Sequence, residues 1–139
     1  MTPERLLTAA KLSVVFHLAA TAASLADQSS LVTLGLAINL VLFLLGIVGF
    51  IAAFLIAAGR SRGEAVWFAG AFLLNGEVVD RRSRNLLRAC LTAQIVIGIT
   101  GASLAPFTPA AFSVLTPLLG FALMAFYGSR FGRFPSRPS

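Results

Sequence analysis

The only histidine, His17, falls in the middle of an apolar run, SVVFHLAATAASLA, where an imidazole could carry protons or contact a solute. Two amides, Asn39 and Gln94, lie inside later apolar runs and complete a candidate intramembrane polar site. A polar side chain in lipid is costly, so it is kept where it binds something or pairs with another helix. Pairing is the plainer chemistry. One hydrogen bond from His17 across to Asn39 or Gln94 would satisfy the imidazole, and such a bond is worth about 0.6 to 2 kcal/mol. On that reading the three residues hold helices together. On the other they line a small-solute or proton pathway. The apolar runs contain no Asp or Glu, so the acidic group used by small four-span drug and proton exchangers is missing and coupled cation antiport is disfavoured.

Other chemistry finds little to work with. A nucleophile needs a base within hydrogen-bond reach. Cys90 should lie near one end of its helix and His17 near the middle of another, so no catalytic residue is assigned and the protein is read as a non-enzyme. One Cys and one His cannot make a thiolate zinc site or an intrachain disulfide. No metal site or cofactor is expected. The cluster Glu64, Glu77 and Asp80 with Arg81, Arg82 and Arg84 could hold a phosphorylated lipid head, but no glycine-rich phosphate loop or paired metal ligands accompany it. It reads as a solvated basic loop.

The residues that position these groups are set by solvent. The chain has 139 residues, 58% hydrophobic and 12% charged, with a mean hydropathy of +0.89. Soluble domains carry about a quarter charged residues, so lipid solvates most of this chain. Leu31–Gly59 is an uncharged run interrupted only by Asn39. As a helix rising about 1.5 Å per residue it would measure about 43 Å, against a hydrocarbon core of about 30 Å. Leu6–Ala26 precedes it. That segment resembles a signal peptide, with Ser24-Leu25-Ala26 before Asp27. It is nevertheless long enough to cross if Lys11 snorkels, and is read as a retained span.

After Gly59 and the turn Arg60-Ser61-Arg62-Gly63-Glu64, the run Ala65–Leu74 is too short to cross. It should lie in the interface or dip in and return, with Trp67, Phe68 and Phe72 at headgroup level. Asn75-Gly76 marks a turn. The third span runs from about Asn85 to Ala105 and the fourth from Ala110 to Tyr127, where Pro117 should kink the helix. Thr108-Pro109 reads as an N-cap with proline at the first helical position. Small residues at Gly49, Ala53 and Ala57, and at Gly98 and Ala102, would let backbones approach.

The expected architecture is all-α, a polytopic membrane protein of four transmembrane helices with a short cytoplasmic interfacial segment between helices 2 and 3. Residues 1–128 form one four-helix domain and residues 129–139 a flexible basic cytoplasmic tail. The net charge of +6 is explained by the positive-inside rule without nucleic acid. All 11 basic residues lie before span one or at its entry, between spans two and three, or after span four. Both termini are therefore placed in the cytoplasm, with the protein in the plasma membrane.

The runs LLRACLTAQIVIG, APFTPAAFSVLTPLLGFAL and YGSRFGRFPSRP, preceded by AAGRSRGE and FAGAFLLNG, resemble a set of small integral membrane proteins of actinobacteria that have no established activity. The resemblance covers roughly Asn39 to Pro138. Its most specific pieces are Ala93-Gln94, Pro106-Phe107-Thr108 and Phe134-Pro135. Tyr127 stands where a tryptophan is expected and Phe131 where a histidine is. The resemblance implies an intact protein and no substrate, cofactor or catalytic residue. The resulting expectation is an accessory or helix-packing component in the lipid bilayer, binding partner membrane proteins, lipids or a second copy of itself.

Overall fold

A computed structural model describes residues 1–138. It is all-helical, with four helical segments long and apolar enough to cross a membrane. Helix α1, Pro3–Ser24, begins at the N-cap Thr2, with Pro3 and Glu4 in its first turn, where a missing N–H and a negative charge are both favourable. Helix α2, Ser29–Arg60, has 32 residues and a length of about 48 Å. Helix α3 is the short Phe68–Leu73, closed by Leu74 in the left-handed region. Helix α4, Arg81–Leu104, starts at Asp80, whose carboxylate accepts the Ser83 N–H at 2.9 Å. It begins four residues before the expected Asn85. The Asn75-Gly76 turn is present, with Gly76 at φ 78°, where a side chain would be strained.

The fourth span differs from a kinked α-helix. Pro109–Leu115 is a 3-10 helix and α5, Pro117–Phe131, starts afresh at the proline. Pro117 has no N–H to give the Ser113 carbonyl and its ring crowds that carbonyl, so the α-helical ladder cannot run through. Thr108 caps the 3-10 turn as expected, accepting the Ala110 N–H.

Helices α1 and α5 occupy the middle of the bundle, with α2 and α4 packed on either side of them. Close approach depends on missing side chains. A Cβ at Gly35 of α2 would stand 2.5 Å from the Ala20 carbonyl oxygen of α1, and one at Gly46 would stand 2.8 Å from the Leu119 nitrogen of α5. On α4 it is Gly98 and Gly101 that face the 3-10 segment and α1, whereas Ala102 is only half-buried. Ala53 and Ala57 continue the smooth face of α2 against α5. The outward face of α2 is apolar and exposed, with Val41, Leu44, Val48, Ile51 and Leu55. That is the surface lipid solvates, and it needs no polar rim.

Segment Ala65–Leu74 packs one side on the bundle and leaves Trp67, Phe68 and Leu73 exposed on the other. Ala71 and Leu74 are fully buried, and Phe72, expected at headgroup level, is 3% exposed. Phe72 meets Phe50 edge-on at 5.5 Å and stacks with Phe68 at 4.7 Å, contacts worth about 0.5 to 1.5 kcal/mol each beyond the area they bury. Trp67 stays partly exposed and stands edge-on to Phe134 at 5.2 Å.

The stretch after Tyr127 also departs from the flexible tail its composition suggests. Helix α5 continues to Phe131, and Ser129 is fully buried. Beyond it the Arg133 N–H donates to the Val78 carbonyl, the Ala65 N–H to Pro135 and the Arg137 N–H to Gly63. An isolated antiparallel bridge joins Glu64 and Ser136. Short stretches with little apolar surface do not fold alone, but here the partner backbone is supplied by the loops around α3. Ser139 lies outside the described residues.

Candidate functional site

Helix α1 carries a polar stripe, Ser13, His17, Thr21 and Ser24, at the three- and four-residue spacing that puts side chains on one helix face. All four are buried, His17 completely. Ser13, His17 and Thr21 face α4 and the 3-10 segment, whereas Ser24 lies against Gly35 of α2. His17 Nε2 lies 3.0 Å from the Ser113 carbonyl oxygen. A carbonyl can only accept, so Nε2 carries the proton and Nδ1 of the neutral ring is the bare acceptor. The partner exists because of Pro117, since Ser113 is the residue whose carbonyl an α-helix would have bonded to the missing N–H. The Ser113 hydroxyl in turn donates to the Gly98 carbonyl at 3.1 Å, tying the 3-10 segment to α4.

Gln94 and Asn39 are equally buried, at 0% and 1% exposure, and bond elsewhere. Gln94 Nε2 donates to Ser13 Oγ at 2.8 Å, and the Ser13 hydroxyl donates in turn to the Ala10 carbonyl. Asn39 Oδ1 accepts the Thr116 hydroxyl at 3.0 Å. The three residues singled out from sequence are thus separate links between helices. The expected bond from His17 to Asn39 or Gln94 is not made. Each amide and the imidazole keeps one buried atom without a protein partner: His17 Nδ1, Asn39 Nδ2 and Gln94 Oε1. Gln94 Oε1 abuts Gly120, where a Cβ would collide with it.

The residues missed from sequence are Ser13, Ser113 and Thr116. Serine and threonine carry little signal in an apolar run because they can bond their own helix. The available clues were Ser13 four residues before His17 and the freed carbonyl four residues before Pro117.

At the end of the bundle that holds both termini, the arginines are also engaged. Arg60 donates to the Ser129 and Gly132 carbonyls at 2.7 and 2.8 Å and pairs with Glu64 at 2.6 Å. Its guanidinium also lies 5.2 Å from the Phe134 ring centroid. Arg88 reaches back to the Leu73 carbonyl and the Asn75 side chain, and Arg84 to the Gly76 carbonyl. Arg84 and Arg88 of the expected solvated basic loop therefore cap the end of α3, and Arg60 of α2 caps α5, because helix C-termini leave carbonyls that cations satisfy. Asp80 is held below the usual carboxylate range, chiefly by the Ser83 N–H and with help from Arg82.

Cys90 packs beside the apolar cluster of Leu6, Leu87 and Tyr127, away from the polar stripe, and makes no pair with His17. Among the described residues no group of His, Cys, Asp and Glu is placed to hold a metal. The arrangement holds helices together through single hydrogen bonds. No protein-family model, curated protein or solved structure matches the chain.

Proposed function

We propose that this protein is a non-enzymatic component of the plasma membrane that acts through its outer surface, binding partner membrane helices or lipids, and that its polar core is structural. The observation that carries the reading is the separate pairing of the buried polar side chains. His17, Gln94 and Asn39 each bond a different neighbour and are at most 1% exposed. A pathway needs such groups to face a common water-accessible space. The resemblance to small actinobacterial membrane proteins adds no substrate and fits this reading.

The discriminating experiment is on His17. His17→Gln keeps an N–H donor for the Ser113 carbonyl and should cost at most about 1 to 2 kcal/mol of bundle stability. Reconstituted vesicles containing either wild type or variant should show no proton flux above empty vesicles. A pH-dependent flux from wild type that well-folded His17→Gln lacks would replace this reading with a proton pathway.

Both termini are proposed to be cytoplasmic, on the strength of the basic residues gathered at their end. A cytoplasm-active reporter fused after the last residue and an export-active reporter inserted at Ser29 should both give signal. Activity of the C-terminal fusion only outside the cell would reverse the orientation.

A further inference from the structure

Between the start of α1 and the start of α4 lies a cavity of about 400 Å³ whose walls carry charges of both signs. Glu4 and Lys11 face it from α1, Asp80 and Arg82 from the α4 entry, with Ser83 and Tyr127 behind them. A second cavity of about 370 Å³ shares Pro3, Asp80 and Tyr127 with the first. None of these charges is in a salt bridge: among the described residues the ion pair within 4 Å is Arg60 with Glu64. Asp80 uses one carboxylate oxygen as the α4 cap and is held ionised by it. The back wall is fixed, because the Tyr127 hydroxyl donates to Ser83 Oγ at 3.1 Å and both residues are buried.

The order of the charges along the bundle axis is informative. Lys11 lies seven residues further into α1 than Glu4, a rise of about 10 Å toward the bilayer centre. Glu4 and Asp80 sit at the helix ends. A group entering from the membrane between the apolar walls of Leu7 and Leu86 therefore meets Lys11 first and, at the mouth, the carboxylates of Glu4 and Asp80 with the Arg82 guanidinium beside Asp80.

We propose that this cleft binds the headgroup of a zwitterionic phospholipid bearing a primary ammonium, a phosphoethanolamine lipid, with its phosphate on Lys11 and its ammonium on Glu4 and Asp80. The anionic phosphate leads and the ammonium follows outward from the acyl chains, which is the order of Lys11 and then Glu4 and Asp80; at the mouth two carboxylates stand against the one guanidinium of Arg82. A primary ammonium offers three N–H donors to the carboxylates, whereas a quaternary one offers none. Charge-assisted bonds of this kind are about twice as strong as neutral ones. The proposal deepens the reading of a lipid-binding component and rests on it, but it concerns a site remote from His17 and is tested without flux.

The test is native mass spectrometry of the full-length protein in detergent, titrated in turn with phosphatidylethanolamine, phosphatidylcholine and phosphatidylglycerol of the same acyl chains. Phosphatidylethanolamine should be retained about tenfold better than either of the others, a discrimination of the size one or two charge-assisted hydrogen bonds provide. Lys11→Gln should lower retention of every lipid, whereas Asp80→Asn, which still caps α4, should remove the preference for ethanolamine over choline. Equal retention of the three lipids, a preference for phosphatidylglycerol, or indifference to both substitutions in protein with unchanged circular dichroism would overturn the proposal. A His17-dependent proton flux with this lipid preference intact would sink the proposed function and leave the cleft standing.

Discussion

Gly128→Ala should be the most damaging single-methyl change in the bundle. A Cβ at Gly128 would collide with the Ala71 carbonyl oxygen and come within 2.9 Å of its carbonyl carbon. Both are backbone atoms of α3, so no side chain can rotate to make room. Overpacking of this kind costs about 1 to 3 kcal/mol, and a rigid neighbour places it toward the upper end. The structure relaxes by pushing α3 off α5, which uncovers Ala71 and Phe72. The thermal midpoint of the purified protein in detergent should fall and the emission of Trp67, the only tryptophan, should shift. Gly59→Ala is the control, because a methyl there meets nothing within 4 Å. Replacing a helical glycine with alanine is otherwise favourable by about 0.5 to 1 kcal/mol, so this variant should be neutral or slightly stabilised. Equal midpoints for Gly128→Ala and wild type would show that α3 is not seated on α5 at this point.

Arg60→Ala should have the next largest effect, and should detach the strap formed by residues 132–138, which follows α5. Its guanidinium serves the Ser129 and Gly132 carbonyls, Glu64 and the face of Phe134. Hydrogen bonds to a charged donor contribute about 1.5 to 3 kcal/mol each, while an exposed ion pair adds about 0 to 1. The side chain is 25% exposed, so water replaces part of what is lost, and a total of about 2 to 3 kcal/mol is expected. Arg60→Lys should recover only a minor part, because a compact ammonium cannot fork between two carbonyls. Glu64→Gln should cost less than about 1 kcal/mol. The readouts are the thermal midpoint and the rate of proteolysis after Phe131, which should rise in the order Glu64→Gln, Arg60→Lys, Arg60→Ala. Equal rates for all three would mean that the strap does not depend on Arg60.

Solvent class and span count were legible in the chain because they depend on composition and length alone. Uncharged runs long enough to cross lipid have one stable form, a helix with its backbone bonds made internally. Leu31–Gly59 accordingly appears as α2, and the first and third spans appear within a few residues of their expected ends. The short run Ala65–Leu74 was recognisable as unable to cross for the same reason. His17, Asn39 and Gln94 stood out because buried polarity in lipid is costly wherever it occurs. Their partners did not. Ser113 becomes the partner of His17 only when Pro117 has broken the fourth span into a 3-10 turn and an α-helix, and when Gly98 and Gly101 let α4 close on that turn. The seat of α3 on Gly128 and the strap held by Arg60 are long-range in the same way. Each joins segments far apart in the chain through backbone carbonyls, which every residue possesses and which therefore leave no mark in the amino-acid sequence. Tertiary structure alone decides which of those carbonyls are left free and which arginine reaches them.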